Sequence, residues 1–227
     1  MKRKTLFIIL FTFVLGCLLL VALPNSSKWS SQSNETKPAD FEKQQIETLF
    51  ADFYLNGKYD NNTFCSELEN VFKEEVDSLF IADIRDEVIQ YLDVVADTLL
   101  IVEFAKEKFR IKTIHEYCEG LFSISNYCLR ANNAYRYIAG EKLMDKYYNL
   151  TLSLLKQKDK ALLIKDQELW MKSYESSREI AAIVAEENGG TEVWLFHYYY
   201  MSPNFMERTE YLFNWYRLLD YNHKNIP

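Results

Sequence analysis

The sequence predicts an all-α protein: a helical bundle behind a single N-terminal apolar segment. Three observations carry that expectation. The 227 residues include only 6 Gly and 4 Pro, too few for the turns of a sandwich or for phosphate-cradling loops. From position 40 onward apolar residues recur at three- and four-residue steps, the period of a helix with one buried face. Leu6–Leu23 is an uncharged run of 18 residues preceded by Lys2, Arg3 and Lys4.

That run, as a helix rising ~1.5 Å per residue, is ~27 Å long, close to the ~30 Å of a bilayer's hydrocarbon core. Cations ahead of it keep the N-terminus cytoplasmic, so the chain beyond Pro24 is expected on the outer side of a bacterial envelope, tethered through residues 6–23. Three fates stay open. Leu18–Leu23 suits a retained signal anchor; Val14-Leu15-Gly16-Cys17 is similar to a lipobox with Cys17 acylated; ordinary cleavage would remove residues 1–23. Residues 24–39, with Ser26, Ser27, Ser30, Ser31, Ser33 and Asn34, are expected to be a flexible linker.

The expected body divides into an N-terminal helical region, 40–112, and a second helical region, 113–222. Asp40 is expected to cap a helix burying Ile46, Leu49, Phe50 and Phe53, with Gly57 ending it. A second helix starts at Asn62 or Thr63 and buries Leu68, Phe72, Val76 and Leu79. A third spans 84–109 with Val88, Leu92, Val95, Leu99 and Val102 inward. Asp83, Asp86, Glu87, Asp93, Asp97 and Glu103 form its solvated face. After a break at 120–125, Cys128, Tyr135, Ala139, Leu143, Tyr147, Leu150 and Leu154 make one stripe. The next helix, 159–187, turns Leu163, Gln167, Trp170, Tyr174, Ala181 and Val184 to one side and stops at Gly189-Gly190. Val193–Tyr200 is either a strand or a buried helical turn. The last helix is expected to begin at Ser202-Pro203 with Phe205, Thr209, Leu212, Tyr216 and Leu219 inward.

In their order and spacing these residues resemble the lysozyme-inhibitor LprI-like domain family of bacterial envelope proteins. Ala139, Leu143 and Tyr147 match one segment, Leu163, Gln167 and Trp170 a second, Gly189-Gly190-Thr191 a turn, and Arg208 with Leu212 the close. Gly140 and Met144 stand where the family pattern has Asp and Asn. The resemblance covers about 118–219 and implies inhibition of a lysozyme-type muramidase. The matched residues are expected to be scaffold, with Gln167 finding hydrogen-bond partners if buried. Contact with a partner is expected from the connection and run that hold Thr191, Trp194, Phe196 and Tyr198. Cys118 and Cys128, ten residues apart across the break, are expected to form a disulfide, as an early pair of comparable spacing does in that family.

The remaining chemistry is sparse. His115, His197 and His223 are scattered and no C-x-x-C or H-x-x-x-H occurs, so no catalytic residue, metal or cofactor is expected. Without Lys2, Arg3 and Lys4, 23 basic residues face 33 acidic ones, a net −10. Such a body repels nucleic acid and attracts a basic protein such as a muramidase. No small-molecule substrate is expected. The reading is thus a non-enzymatic exported inhibitor; the alternative is a membrane-anchored structural or interaction module of the envelope.

Overall fold

Two aspartates show how local chemistry sets the helices. Asp60 Oδ1 accepts the N–H groups of Asn62 and Thr63, both at 2.8 Å, and Asp97 Oδ1 accepts that of Leu99 at 3.0 Å. Each satisfies backbone donors that a helix start leaves unpaired. The computed structural model describes residues 38–73, 88, 91, 97–122, 125–187 and 193–225, with the side chains of 38–41, 185 and 193–203 left aside. Among the described residues there are six helices and no strand. They are α1 (Pro38–Tyr54), α2 (Asn61–Val71), α3 (Thr98–Leu121), α4 (Asn126–Leu154), α5 (Gln157–Glu187) and α6 (Val193–Asn225). The expected helical bundle is therefore present.

Helix α1 buries Ile46, Leu49 and Phe50, and Phe53 stacks on Phe64 of α2 at 3.9 Å. Gly57 takes φ 59°, a left-handed value that glycine adopts without a side-chain clash, and Lys58 N–H closes the turn on the Asp52 carbonyl at 2.8 Å. In α2, Phe64, Cys65 and Leu68 are buried, and Phe72 just beyond it is too. Val76 and Leu79 lie outside the described residues.

The third helix differs from expectation. It starts at Thr98 and continues to Leu121, with Ile101, Phe104, Ala105, Ile111, Ile114 and Cys118 buried. Leu99, expected inward, is 79% exposed. Asp97 caps the helix instead of lying within it, and a start at Thr98 resets the phase of the buried face. Val88 is half-buried against the core; Leu92, Val95, Asp83, Asp86, Glu87 and Asp93 lie outside the described residues.

Helix α4 is apolar on more than one side. Cys128, Ala131, Tyr135, Ile138, Ala139, Leu143, Met144 and Tyr147 are all buried, as befits a helix enclosed by others. It contacts α2 and α3, and lies closest along α6. Gly140 lets the two backbones approach: a Cβ there would sit 3.4 Å from Phe205 Cβ, so the family's Asp would press a carboxylate into this seam. Nearby, Phe104 of α3 stacks on Phe213 of α6 at 3.8 Å, and Tyr147 of α4 meets both edge-on at 5.1 and 5.3 Å. Tyr91 adds edge contacts at 5.5 and 5.6 Å. Stacked and edge-on rings are the favoured aromatic geometries and knit three helices together.

Phe41–Pro227 forms one compact unit, and α3 crosses positions 112–113 without a break. The last helix begins at Val193 rather than at Ser202, so Pro203 lies within it. The aromatic run before Pro203 contains no Gly or Pro to stop a helix, and an interior proline, though it loses one hydrogen bond and crowds the carbonyl four residues back, need not end one. Among the described residues no helix is long and apolar enough to cross a membrane; residues 6–23 and Cys17 lie outside them.

His115 of α3 is buried, and its carbonyl accepts Asn132 Nδ2 of α4 at 2.9 Å. Burial, then the Arg136 charge, hold the imidazole below its ordinary 6.5, against weaker opposing effects of Glu119 and Asn132. The unfolded chain therefore takes up the proton at a higher pH than the folded chain. The stabilisation by neutral His115 is complete above pH 6.5 and is lost as pH falls from there toward the lower folded value. Urea unfolding at pH 8 and pH 6 should show a larger loss in the native protein than in His115→Gln.

Candidate functional site

Three of the residues that carry the resemblance, Gln167, Trp170 and Arg208, come together around one guanidinium. On α5, Leu163, Gln167 and Trp170 fall at i, i+4 and i+7, and so point to one side. On α6, Arg208 lies between Phe205 and Leu212 on the inward face and is only 7% exposed. Its Nε donates to Gln167 Oε1 at 3.0 Å and an Nη to Asp166 Oδ2 at 2.6 Å. The guanidinium lies over the rings of Trp170, 5.6 Å from the centroid, and Tyr211, 4.7 Å. Gln167 Nε2 turns the other way, 3.6 Å from Met144 Sδ of α4. Gln167 thus ties α5 to both α4 and α6. Trp170 is half-buried, stacked on Tyr174 at 5.5 Å and edge-on to Phe205 at 5.6 Å.

A charge buried without partners costs several kcal/mol, but here a carboxylate, an amide oxygen and two π faces receive it. The planar fork suits that set, because it donates along two directions while its faces stack. Ala139, Leu143 and Tyr147 are buried in the same core. The Tyr147 hydroxyl donates to Glu107 at 3.0 Å, and Lys146 reaches Glu107 at 2.6 Å and Glu103 at 3.2 Å. Thr151 Oγ lies 3.1 Å from the Leu212 carbonyl, a further α4–α6 link. Asp166 and Tyr211 were missed in the sequence, though an arginine within an apolar stripe is itself a signal that a partner must exist.

The cysteines are placed differently from expectation. Cys65, Cys118 and Cys128 are buried free thiols, so the Cys118–Cys128 disulfide is not formed. Cys118 closes α3 and Cys128 opens α4, and both fill the core as small apolar side chains. Burial pushes the Cys65 thiol up to about 12 and raises Cys118 as well, so neither has thiolate character. Gly189, Gly190 and Thr191 lie outside the described residues. Trp194, Phe196 and Tyr198 fall on the first turns of α6, with their side chains undescribed.

Two surface features flank the Arg208 node. Outward on α6, Tyr211, Trp215 and Leu218 are exposed, Trp215 by 48%, and on α5 Leu162 and Leu169 are exposed too. Between α4 and α5 lies an open groove of about 450 Å³, lined by Tyr148, Ile164, Gln167, Glu168, Met171, Lys172 and Glu175. No group of three or more His, Cys, Asp or Glu able to hold a metal ion occurs among the described residues. Comparison with protein-family models, curated proteins and solved structures finds no match.

Removing one side of a buried charge pair strands the other. Arg208→Ala leaves Gln167 without its donor and uncovers Trp170, and should cost about 2–4 kcal/mol in urea unfolding. Arg208→Lys should recover little, because an ammonium cannot donate along two directions and stack at once. Asp166→Asn should cost under about 1 kcal/mol, because this carboxylate is half-exposed and water can replace the ion pair.

Proposed function

We propose that this chain is a non-enzymatic protein of a bacterial cell envelope, held on the outer side through residues 6–23 or an acylated Cys17, and that it inhibits a lysozyme-type muramidase by covering part of its surface. The observation that carries the reading is the meeting of Gln167, Trp170 and Arg208 around one buried charge. These residues belong to the sequence motifs that resemble the LprI-like inhibitors, and they are side-chain neighbours although 41 residues separate Gln167 from Arg208. Residues serving as frame leave recognition to the surface around them, where specificity is carried by loops and exposed faces.

The charge balance supports a basic partner. With 33 acidic residues against 23 basic ones beyond Lys4, the protein steers cations toward itself over about a Debye length, ~8 Å at physiological salt. Steering acts on association, whereas exposed rings such as Tyr211 and Trp215 act after encounter, by packing and excluding water.

A second reading is favoured by those same apolar side chains. Exposed Leu162 and Leu169 on α5 and Tyr211, Trp215 and Leu218 on α6 also suit a permanent contact with another envelope protein. A cell-wall lysis assay with egg-white lysozyme, paired with binding kinetics at two salt concentrations, separates the two. The inhibitor reading expects protection from lysis and an association rate that falls steeply with salt. Salt-sensitive binding without protection sinks it, and crosslinked pulldown from intact cells should then recover an envelope partner.

A further inference from the structure

The groove between α4 and α5 exists because of how the bundle is tied. Helix α6 packs along α4 and also against α5, while α4 and α5 meet through Gln167 and Met144 beside the Arg208 node and through Tyr174 and Tyr137. That node forms the groove's inner end, where Gln167 is held on both sides. Outward from it the two helices present Tyr148 on one wall and Ile164, Glu168, Met171, Lys172 and Glu175 on the other. Ile164 is 40% exposed and the groove opens to solvent. It is a shallow, open groove of about 450 Å³, wide enough to lay one long side chain along it.

Its chemistry is uneven. Ile164, Met171 and the face of Tyr148 are apolar, and methionine adapts to an irregular guest. Glu168 and Glu175, two turns apart, carry the only negative charges of the lining, and neither is engaged in an ion pair among the described residues. Lys172 lies between them, one helical turn from each, and forms no ion pair with either among the described residues. On α4, Asp145 and Glu141 fall one and two turns before Tyr148 and extend the same acidic line. Burial raises both carboxyls, and at Glu141 the Asp145 charge raises it further. Burial also raises the Tyr148 phenol and Glu168 adds to it, while the Arg208 charge at the inner end lowers it. The geometry of the groove stands without these shifts.

We infer that this groove seats an arginine or lysine side chain projecting from a basic partner protein, with its aliphatic stem along Ile164 and Met171, across the Tyr148 ring, and its cation against Glu168 and Glu175. An aromatic face, a flexible thioether and free carboxylates are the features that a long cationic side chain uses together. The inference rests on the proposed reading that the partner is basic, and it names where that partner is held. It also gives the position of Gln167 a consequence: the residue that fixes α5 fixes the distance between the two walls.

The test uses the full-length protein and two probes, an acetylated hexa-arginine peptide and egg-white lysozyme, with affinity measured by calorimetry. Glu168→Gln with Glu175→Gln removes the groove charges without changing shape. Glu186→Gln with Glu187→Gln removes the same charge farther along α5, and thermal melts verify that both variants fold. The groove variant should bind each probe about tenfold more weakly and the control by less than about twofold, because a local contact is lost in one and only long-range steering in the other. Equal weakening in both variants overturns the groove, leaving general charge as the cause. Lysozyme binding and protection from lysis that survive in the groove variant also overturn it, while the muramidase reading stands. Groove-dependent peptide binding with no lysozyme binding supports the groove and removes the muramidase. A wild-type protein that binds neither probe overturns the groove.

Discussion

An arginine that leaves water must be met on every side, and the arrangement of the last three helices follows from how Arg208 is met. Its partners come from α5, through Asp166, Gln167 and Trp170, and from its own helix through Tyr211. Because Gln167 also turns its amide toward Met144, the position of α5 is set against α4 and α6 at once. Apolar packing alone would specify this less sharply, since hydrophobic contact is non-directional and tolerates sliding. A guanidinium fork with one carboxylate and one amide oxygen in reach has few acceptable registers.

Below that node the bundle is held by rings. Phe104, Tyr147, Phe213 and Tyr91 bring α3, α4 and α6 together with the segment before α3, and Arg217 adds a hydrogen bond to the Tyr91 carbonyl at 2.8 Å. Phe50, Phe53, Phe64 and Phe122 do the same for α1, α2 and the end of α3. The division of labour has a physical basis. Large rings bury much area with few torsions to fix, so they give stability, whereas the polar node gives register.

Much of the helical content was legible because it depends on local signals. Ile46, Leu49 and Phe50 stand at helical spacing before Gly57, and Cys128 through Tyr147 hold their period for five turns, so nothing distant was needed to read them. What failed was where a local signal has two meanings. Asp97 belongs equally to a solvated face or to a cap, and choosing the face carried the α3 stripe out of phase and left Leu99 wrongly inside. The run from Val193 to Tyr200 has no periodic contrast, so it did not reveal that α6 had already begun. The spacing of Cys118 and Cys128 gave a loop length but not the side-chain directions, and both proved to be core thiols. Of the candidate site, Gln167, Trp170 and Arg208 were each named from sequence, but Asp166 and the groove carboxylates were not. One acid among 33 carries no mark until the fold sets a cation or a cavity beside it.

The function proposed here follows from that construction: α4 and α6 packed as a pair, with a third helix pinned beside them, present a groove that Gln167 borders and an aromatic face that Tyr211 shares with the node. If the Arg208 node is what places α5, then loosening it must free that helix before the rest. Amide hydrogen exchange of Arg208→Met, compared with the native protein, tests this directly. Residues 157–187 should lose protection while the helices joined by Phe104, Tyr147 and Phe213 keep theirs. Protection in α5 as high as in the native protein would contradict it, and would assign the placement of α5 to apolar packing instead.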